Sequence, residues 1–275
     1  MEATQKVKKR WFMKHPLVPA IVLPLLGLIG VSLASGLLLL LFPPSLEPSV
    51  LAVLLTILND VLRIALAFLV VGIIKYSWRD AFPFGLGGKN LGMSLALASF
   101  GLLVALSNLL QYGLAGTPLQ PGLGGIALAL LSGLAPGIFE EIVCRGAVLT
   151  NCMIQWREKP GRILRSLLVS SIVFGLLHLI NLAQADLGST IVQVFYAAAL
   201  GIFFGAVYLR TRNLWGSIIV HAIIDFTSYL FIGSGTSALG TVDLLLGLGI
   251  TILYACIGLF LVRPSKREEI QVLWS

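Results

Sequence analysis

Apolar runs of about twenty residues recur from one end of this sequence to the other, and no polar stretch long enough for a separate domain interrupts them. A helix needs ~20 mostly apolar residues to cross the hydrocarbon core of a bilayer. Eight such runs can be marked, at roughly 17–42, 50–74, 91–112, 125–155, 164–182, 190–209, 214–233 and 241–262. Short Gly- and Pro-containing segments separate them, among them PPSLEP, FGLGGKN, AGTPLQPGLGG and WREKPGR; Gly and Pro punctuate helices. No internal repeat or low-complexity linker is visible. The expected fold is all-α, a polytopic membrane helix bundle of about eight transmembrane helices over residues 17–263, with a basic cytoplasmic tail at 1–16 and a cytoplasmic C-terminal tail at 264–275. Composition agrees: 57% of the residues are hydrophobic and 11% charged, against ~25% charged in average soluble domains.

The basic residues test the span count. Five lie in the N-terminal tail (Lys6, Lys8, Lys9, Arg10, Lys14), three in the second loop (Lys75, Arg79, Lys89), four in the fourth (Arg157, Lys159, Arg162, Arg165), two in the sixth (Arg210, Arg212) and three in the C-terminal tail (Arg263, Lys266, Arg267). That places 17 of the 19 on one side, and the odd-numbered loops hold none. The positive-inside rule then puts both termini in the cytoplasm. The net charge of +7 therefore follows the membrane, and no nucleic-acid partner is expected. The first apolar run, about 26 residues, exceeds the 7 to 15 of a signal-peptide core and reads as an uncleaved span. Cys144, Cys152 and Cys256 fall in or beside apolar runs with no CxxC pair, so neither a disulfide framework nor a zinc-thiolate site is indicated.

Charged side chains inside spans are the anomaly. Each costs at least ~2.5 to 3.5 kcal/mol at the bilayer centre and marks a bundle interior or a functional cavity. The fourth span contains FEEIVCRG, Phe139 to Gly146. Glu141 and Arg145, four apart, share a helix face in the favourable order. Glu140 is turned about 100° away, and a carboxylate with no local partner in a dry site suits a group that takes up and returns a proton. The fifth span carries FGLLHLIN, with Phe174, His178 and Asn181; the seventh carries HAIID, with His221 and Asp225 on one face. One intramembrane histidine is often no more than an interhelical hydrogen bond. Two on different spans, together with Glu140, make a converging set of acid, base and donor. Asn59, Asp60 and Arg63 in the second span, the last two three apart, read as structural, an ion pair satisfied within or between helices. Nothing indicates a lowered pKa for the Cys144 thiol, so cysteine catalysis is not favoured.

EExxxR (Glu140, Glu141, Arg145), FxxxH (Phe174, His178) and HxxxD (His221, Asp225), in order on three spans, resemble the CAAX protease and bacteriocin-processing family, also called CPBP or Abi. HxxN (His178, Asn181) is a further match. The resemblance covers residues 135 to 230 and implies a multi-pass membrane endopeptidase. It implies that Glu140 and His178 activate a water, that His221 and Asp225 stabilise the oxyanion, that Glu141 and Arg145 hold the fourth span, and that Phe174 packs beside the water. Many members have Asn where this chain has Asp225; an ionised carboxylate cannot donate to an oxyanion, so Asp225 either is protonated or orients His221. Zinc bound by Glu140, His178 and His221 is the alternative to a metal-free mechanism, since two His and one Glu can form an open three-ligand site. HExxH is absent, and the expectation is no cofactor.

The expected function is therefore intramembrane endopeptidase, hydrolysing a peptide bond in a membrane-associated or lipid-modified protein or peptide by Glu/His-activated water. Its expected partners are membrane lipid and that substrate, and its expected location is the plasma membrane of a prokaryote. The alternatives are a non-catalytic relative, such as a bacteriocin self-immunity factor or scaffold, and a proton-coupled transporter, which would show paired broken repeats. The charge pattern yields a direct test of topology. Single cysteines placed near Ala185 and near Ser275, in a background lacking the three native cysteines, should label from opposite sides of the membrane, with Ser275 cytoplasmic; labelling from one side would require recounting the spans.

Overall fold

A computed structural model describes residues 17–43, 45–78, 83–183, 185–232 and 240–275. The basic tail 1–16 and Arg79 lie outside these residues. The described chain is helical throughout: α1 Leu17–Leu39, α2 Pro48–Trp78, α3 Leu91–Ala98, α4 Leu102–Leu114, α5 Gly122–Glu140, α6 Thr150–Gln155, α7 Arg162–Leu177, α8 Leu187–Thr211, α9 Trp215–Tyr229, α10 Thr241–Leu261 and α11 Arg267–Leu273. A single 3-10 turn, Ser99–Gly101, joins α3 to α4, so they form one rod. A π-helical segment, Glu141–Leu149, joins α5 to α6, giving a second continuous rod. The rods and helices fall where the eight runs were expected. Among the described residues six are long and apolar enough to cross a membrane. Helix α1 contributes a shorter apolar stretch, Pro24–Leu38. At 15 residues, α9 would rise only about 22 Å, short of a ~30 Å core. This is an integral membrane protein built as a polytopic helical bundle.

Lipid tails are as apolar as leucine, so helices in a membrane associate through close packing of small residues rather than through hydrophobic burial. Gly133 and Gly137, one turn apart on α5, press on α9. A Cβ on Gly133 would stand 2.6 Å from the Phe226 nitrogen and 2.7 Å from the Ala222 oxygen, and one on Gly137 would stand 2.9 Å from the Ala222 nitrogen. As the chain advances along α5 its partners step backward along α9, so the two helices are antiparallel. Helices α7 and α8 use the same device: a Cβ on Gly175 would meet the Val194 oxygen at 2.7 Å, and one on Gly201 would meet the Ser171 Cα at 3.0 Å.

The entry of α9 is fixed by polar groups. Arg212 ends α8 in the left-handed region at φ 49, which turns the chain sharply. Buried Asn213 then donates through Nδ2 to the carbonyls of Gly87 and Lys89, at 2.7 and 2.9 Å, and accepts the Trp215 N–H at 2.9 Å. At the other end of α8, the Asp186 side chain caps the helix by accepting from the Ser189 N–H at 3.0 Å. Those Ser189 hydrogen bonds hold the Asp186 carboxyl below the usual carboxylate range. The C-terminal α11 docks against α8 through Trp274, whose indole N–H donates to the Leu209 carbonyl at 2.9 Å, and through Arg212, which donates to the Leu273 carbonyl at 2.7 Å.

Asp60 finds its hydrogen-bond partner on a facing helix: its Oδ2 accepts from Ser132 Oγ of α5 at 2.7 Å. Both Asp60 and Ser132 are buried. Arg63 Nε has no hydrogen-bond partner among the described residues.

The glycine contacts generate a stability test. Gly137→Leu should force α5 and α9 apart and lower stability by about 1 to 3 kcal/mol, read as a lower apparent Tm in detergent. Gly30→Leu should leave Tm unchanged, because nothing lies within 4 Å of that position.

Candidate active site

The polar cluster begins where α5 widens into its π segment. Two features loosen the α-helical ladder there. Pro136 has no N–H to give to the preceding turn. On the far side, Ser170 Oγ of α7 donates to the Cys144 carbonyl at 2.8 Å, and Thr150 Oγ1 donates to the Arg145 carbonyl, five residues back, at 3.3 Å. Such i→i+5 stretches occur mostly as single turns at functional sites; this one runs from Glu141 to Leu149.

Glu141 and Arg145 are both fully buried, and Arg145 Nη1 lies 2.7 Å from Glu141 Oε1. The same oxygen lies 3.0 Å from His221 Nδ1 on α9. The guanidinium also sits over the Phe174 ring, 4.1 Å from its centroid, so π density as well as a carboxylate compensates its charge. Arg145 Nε and Nη2 have no hydrogen-bond partner among the described residues.

With Nδ1 engaged by Glu141, His221 turns Nε2 toward two further carboxylates. Glu140 Oε2 lies 3.8 Å away and Asp225 Oδ2 lies 3.5 Å away. Both acids retain some access, with side chains 17% and 26% exposed. Phe204 of α8 stacks on the His221 ring at 5.9 Å, and Phe174 meets it edge-on at 5.8 Å. The imidazole is thereby held in plane and direction by two rings and a hydrogen bond.

His178 stands across Phe174 from His221. Its ring meets Phe174 edge-on at 5.1 Å, and its Nδ1 is 3.0 Å from the Phe174 carbonyl, leaving Nε2 as its uncommitted nitrogen. It sits at the first residue of a 3-10 turn, His178–Ala183, that ends α7. Among the described residues no hydrogen bond or ion pair joins His178 to Glu140; the shared contact with Phe174 places the two imidazoles around one ring. Asn181 is drawn elsewhere, donating to Gln193 Oε1 of α8 at 2.8 Å.

Glu140, Glu141, Arg145, Phe174, His178, His221 and Asp225 thus gather in one cluster, and Asn181 lies off it. Among the described residues no group of three His, Cys, Asp or Glu is placed to hold a metal ion. Phe204 and the Gly133/Gly137 pair belong to the site's support and were not singled out in the sequence. The small-xxx-small spacing was a readable signal for the glycines; nothing in the FFGA run marks Phe204.

The comparisons with known proteins point the same way. Residues 122–227 match the family described as type II CAAX prenyl endopeptidase Rce1-like. The match starts at the first residue of α5 and stops within the last turn of α9, so it contains every residue of the cluster. No curated protein and no solved structure matches the chain.

Replacing Glu141 by Gln would keep its shape and leave Arg145 as a buried cation without a carboxylate. Removing one partner of a buried pair costs about 3 to 5 kcal/mol, and the π contact with Phe174 offsets part of that. Glu141→Gln should therefore show a clearly lowered Tm, with activity falling as the fold loosens. A variant of unchanged Tm and no turnover would move Glu141 into the chemistry itself.

Proposed function

We propose that this membrane protein, whose residues 122–227 match the Rce1-like type II CAAX prenyl endopeptidase family, hydrolyses a peptide bond in a membrane-associated or lipid-modified protein, using Glu140 as base and no metal. The match of this segment to a protease family supports the general reading as a membrane protease. The observation that carries the finer reading is the two-sided clamp on His221: Glu141 holds Nδ1 while Nε2 faces Glu140 and Asp225.

In this reading a water lies between Glu140 and His178. Glu140 takes a proton as the water oxygen bonds to the peptide carbonyl carbon. His221, its Nδ1–H donated to Glu141, offers an Nε2–H to the oxygen that gains negative charge, the role of an oxyanion donor. The proton on Glu140 then passes to the leaving nitrogen as the carbon–nitrogen bond breaks. Asp225, four residues from His221, orients the imidazole and does not itself donate, which resolves the difficulty of a carboxylate facing an oxyanion. The basic residues' one-sided distribution supports cytoplasmic termini, and the plasma membrane of a prokaryote is the proposed location.

Purified chain reconstituted in proteoliposomes with a lipid-modified peptide provides the test. Glu140→Gln should abolish cleavage while leaving Tm unchanged, because among the described residues its partly exposed side chain is held by no hydrogen bond or ion pair shorter than the 3.8 Å approach to His221. Asp225→Asn should retain turnover within about 10-fold, since an amide can also orient or donate, and cleavage should survive a strong chelator. Unchanged cleavage by Glu140→Gln would remove it from the base role. Absence of cleavage by the wild type would favour a non-catalytic immunity or scaffold role.

A further inference from the structure

We propose that the cleft between the α6–α7 turn and α11 binds a phosphate-bearing headgroup at the membrane edge. The cleft encloses about 610 Å³ and is separate from the His221 cluster. Two stretches distant in sequence build its walls, the turn following Gln155 and the helix starting at Arg267. One wall lies between two candidate spans, which end at Gln155 and begin again at Arg162. The cleft therefore sits at the border of the hydrocarbon, on the side to which the basic residues assign the cytoplasm.

Its charge is strongly one-sided. Arg157, Lys159, Arg162 and Arg267 line it against one acid, Glu158. Glu158 pairs only loosely, at 3.7 Å, with Arg157, and both side chains are well exposed. Among the lining side chains four are cationic and one is acidic, which makes the cleft predominantly basic and favours entry of an anion.

The cations are also placed rather than scattered. Arg162 is only 8% exposed, and its Nη2 donates to the Gln271 carbonyl at 3.3 Å, which ties the turn to α11 and keeps the cleft open at a set width. Arg267 Nε donates to the Val262 carbonyl at 3.3 Å, leaving its two terminal nitrogens without a hydrogen-bond partner among the described residues. The Lys159 ammonium likewise has no hydrogen bond or ion pair there.

Guanidinium forks match phosphate oxygens in pairs, and basic pockets at the cytoplasmic ends of membrane helices take up anionic headgroups. A volume of several hundred Å³ suits a headgroup rather than a bare ion. Phosphate on a lipid and phosphate on a soluble ester share this chemistry.

The test needs no enzymatic activity, so its outcome leaves the catalytic reading untouched. Full chain in detergent is mixed with dioleoyl phosphatidic acid or dioleoyl phosphatidylcholine, and retained lipid is counted by native mass spectrometry. The wild type should retain phosphatidic acid in preference to phosphatidylcholine. Arg157→Gln with Lys159→Gln, both on the exposed turn, should weaken that retention by about 10-fold or more. Lys75→Gln with Lys89→Gln removes the same charge elsewhere and should behave as wild type. Displacement of the lipid by sn-glycerol 3-phosphate would identify phosphate ester as sufficient, and failure to displace would make the acyl chains part of the ligand. Equal retention of phosphatidic acid by the wild type and the Arg157/Lys159 variant, or equal retention of the two lipids by the wild type, would overturn the proposal.

Discussion

One buried oxygen organises the centre of this protein. Glu141 Oε1 lies 2.7 Å from Arg145 on its own rod and 3.0 Å from His221 on α9. A carboxylate away from water is costly unless its charge is compensated; here the compensating groups on Oε1 come from two different rods, while Oε2 has no hydrogen-bond partner among the described residues. Separation of α5 from α9 would leave a charge exposed to an apolar interior. The pair is thus a reason for the two helices to stay at one register, beyond the dispersion gained along their contact.

That register is possible only because the contact is narrow. Gly133 and Gly137 let the α9 backbone approach to a distance that any side chain would prevent. Asp60 and Ser132 tie α2 to the same level of α5, so three helices are held together one to two turns before the acidic pair. The polar links and the small residues act on the same interface. Neither suffices alone, since hydrogen bonds between membrane helices average under about 1 kcal/mol.

The adjacency of Glu140 and Glu141 separates into two environments. Glu141 is shielded completely and committed to two partners, which suits a group that keeps its charge and holds others in place. Glu140, next in the chain but at the end of α5 before the π segment, keeps partial access and only a long approach to His221. Two identical side chains one residue apart thereby acquire different capacities, set by burial and neighbours rather than by chemistry of their own.

The sequence by itself determined the membrane class, the approximate position of the eight apolar helices or rods and the set of residues carrying charge inside the spans. Each is a local property: hydropathy over twenty residues, basic residues in alternate loops, and side chains too polar for lipid. It also carried the Glu141–Arg145 pair, because four residues on one helix are neighbours whatever the fold. Tertiary structure decided everything that depends on which helix faces which. Asp60 found Ser132 on a facing helix, Asn181 turned to Gln193, and Phe204 reached His221 from a helix with no polar signal. The π segment was equally hidden, because one of the contacts that accompanies it, Ser170 of α7 donating to the Cys144 carbonyl, comes from another helix. Spacing along a chain specifies partners within one helix; between helices, only packing does.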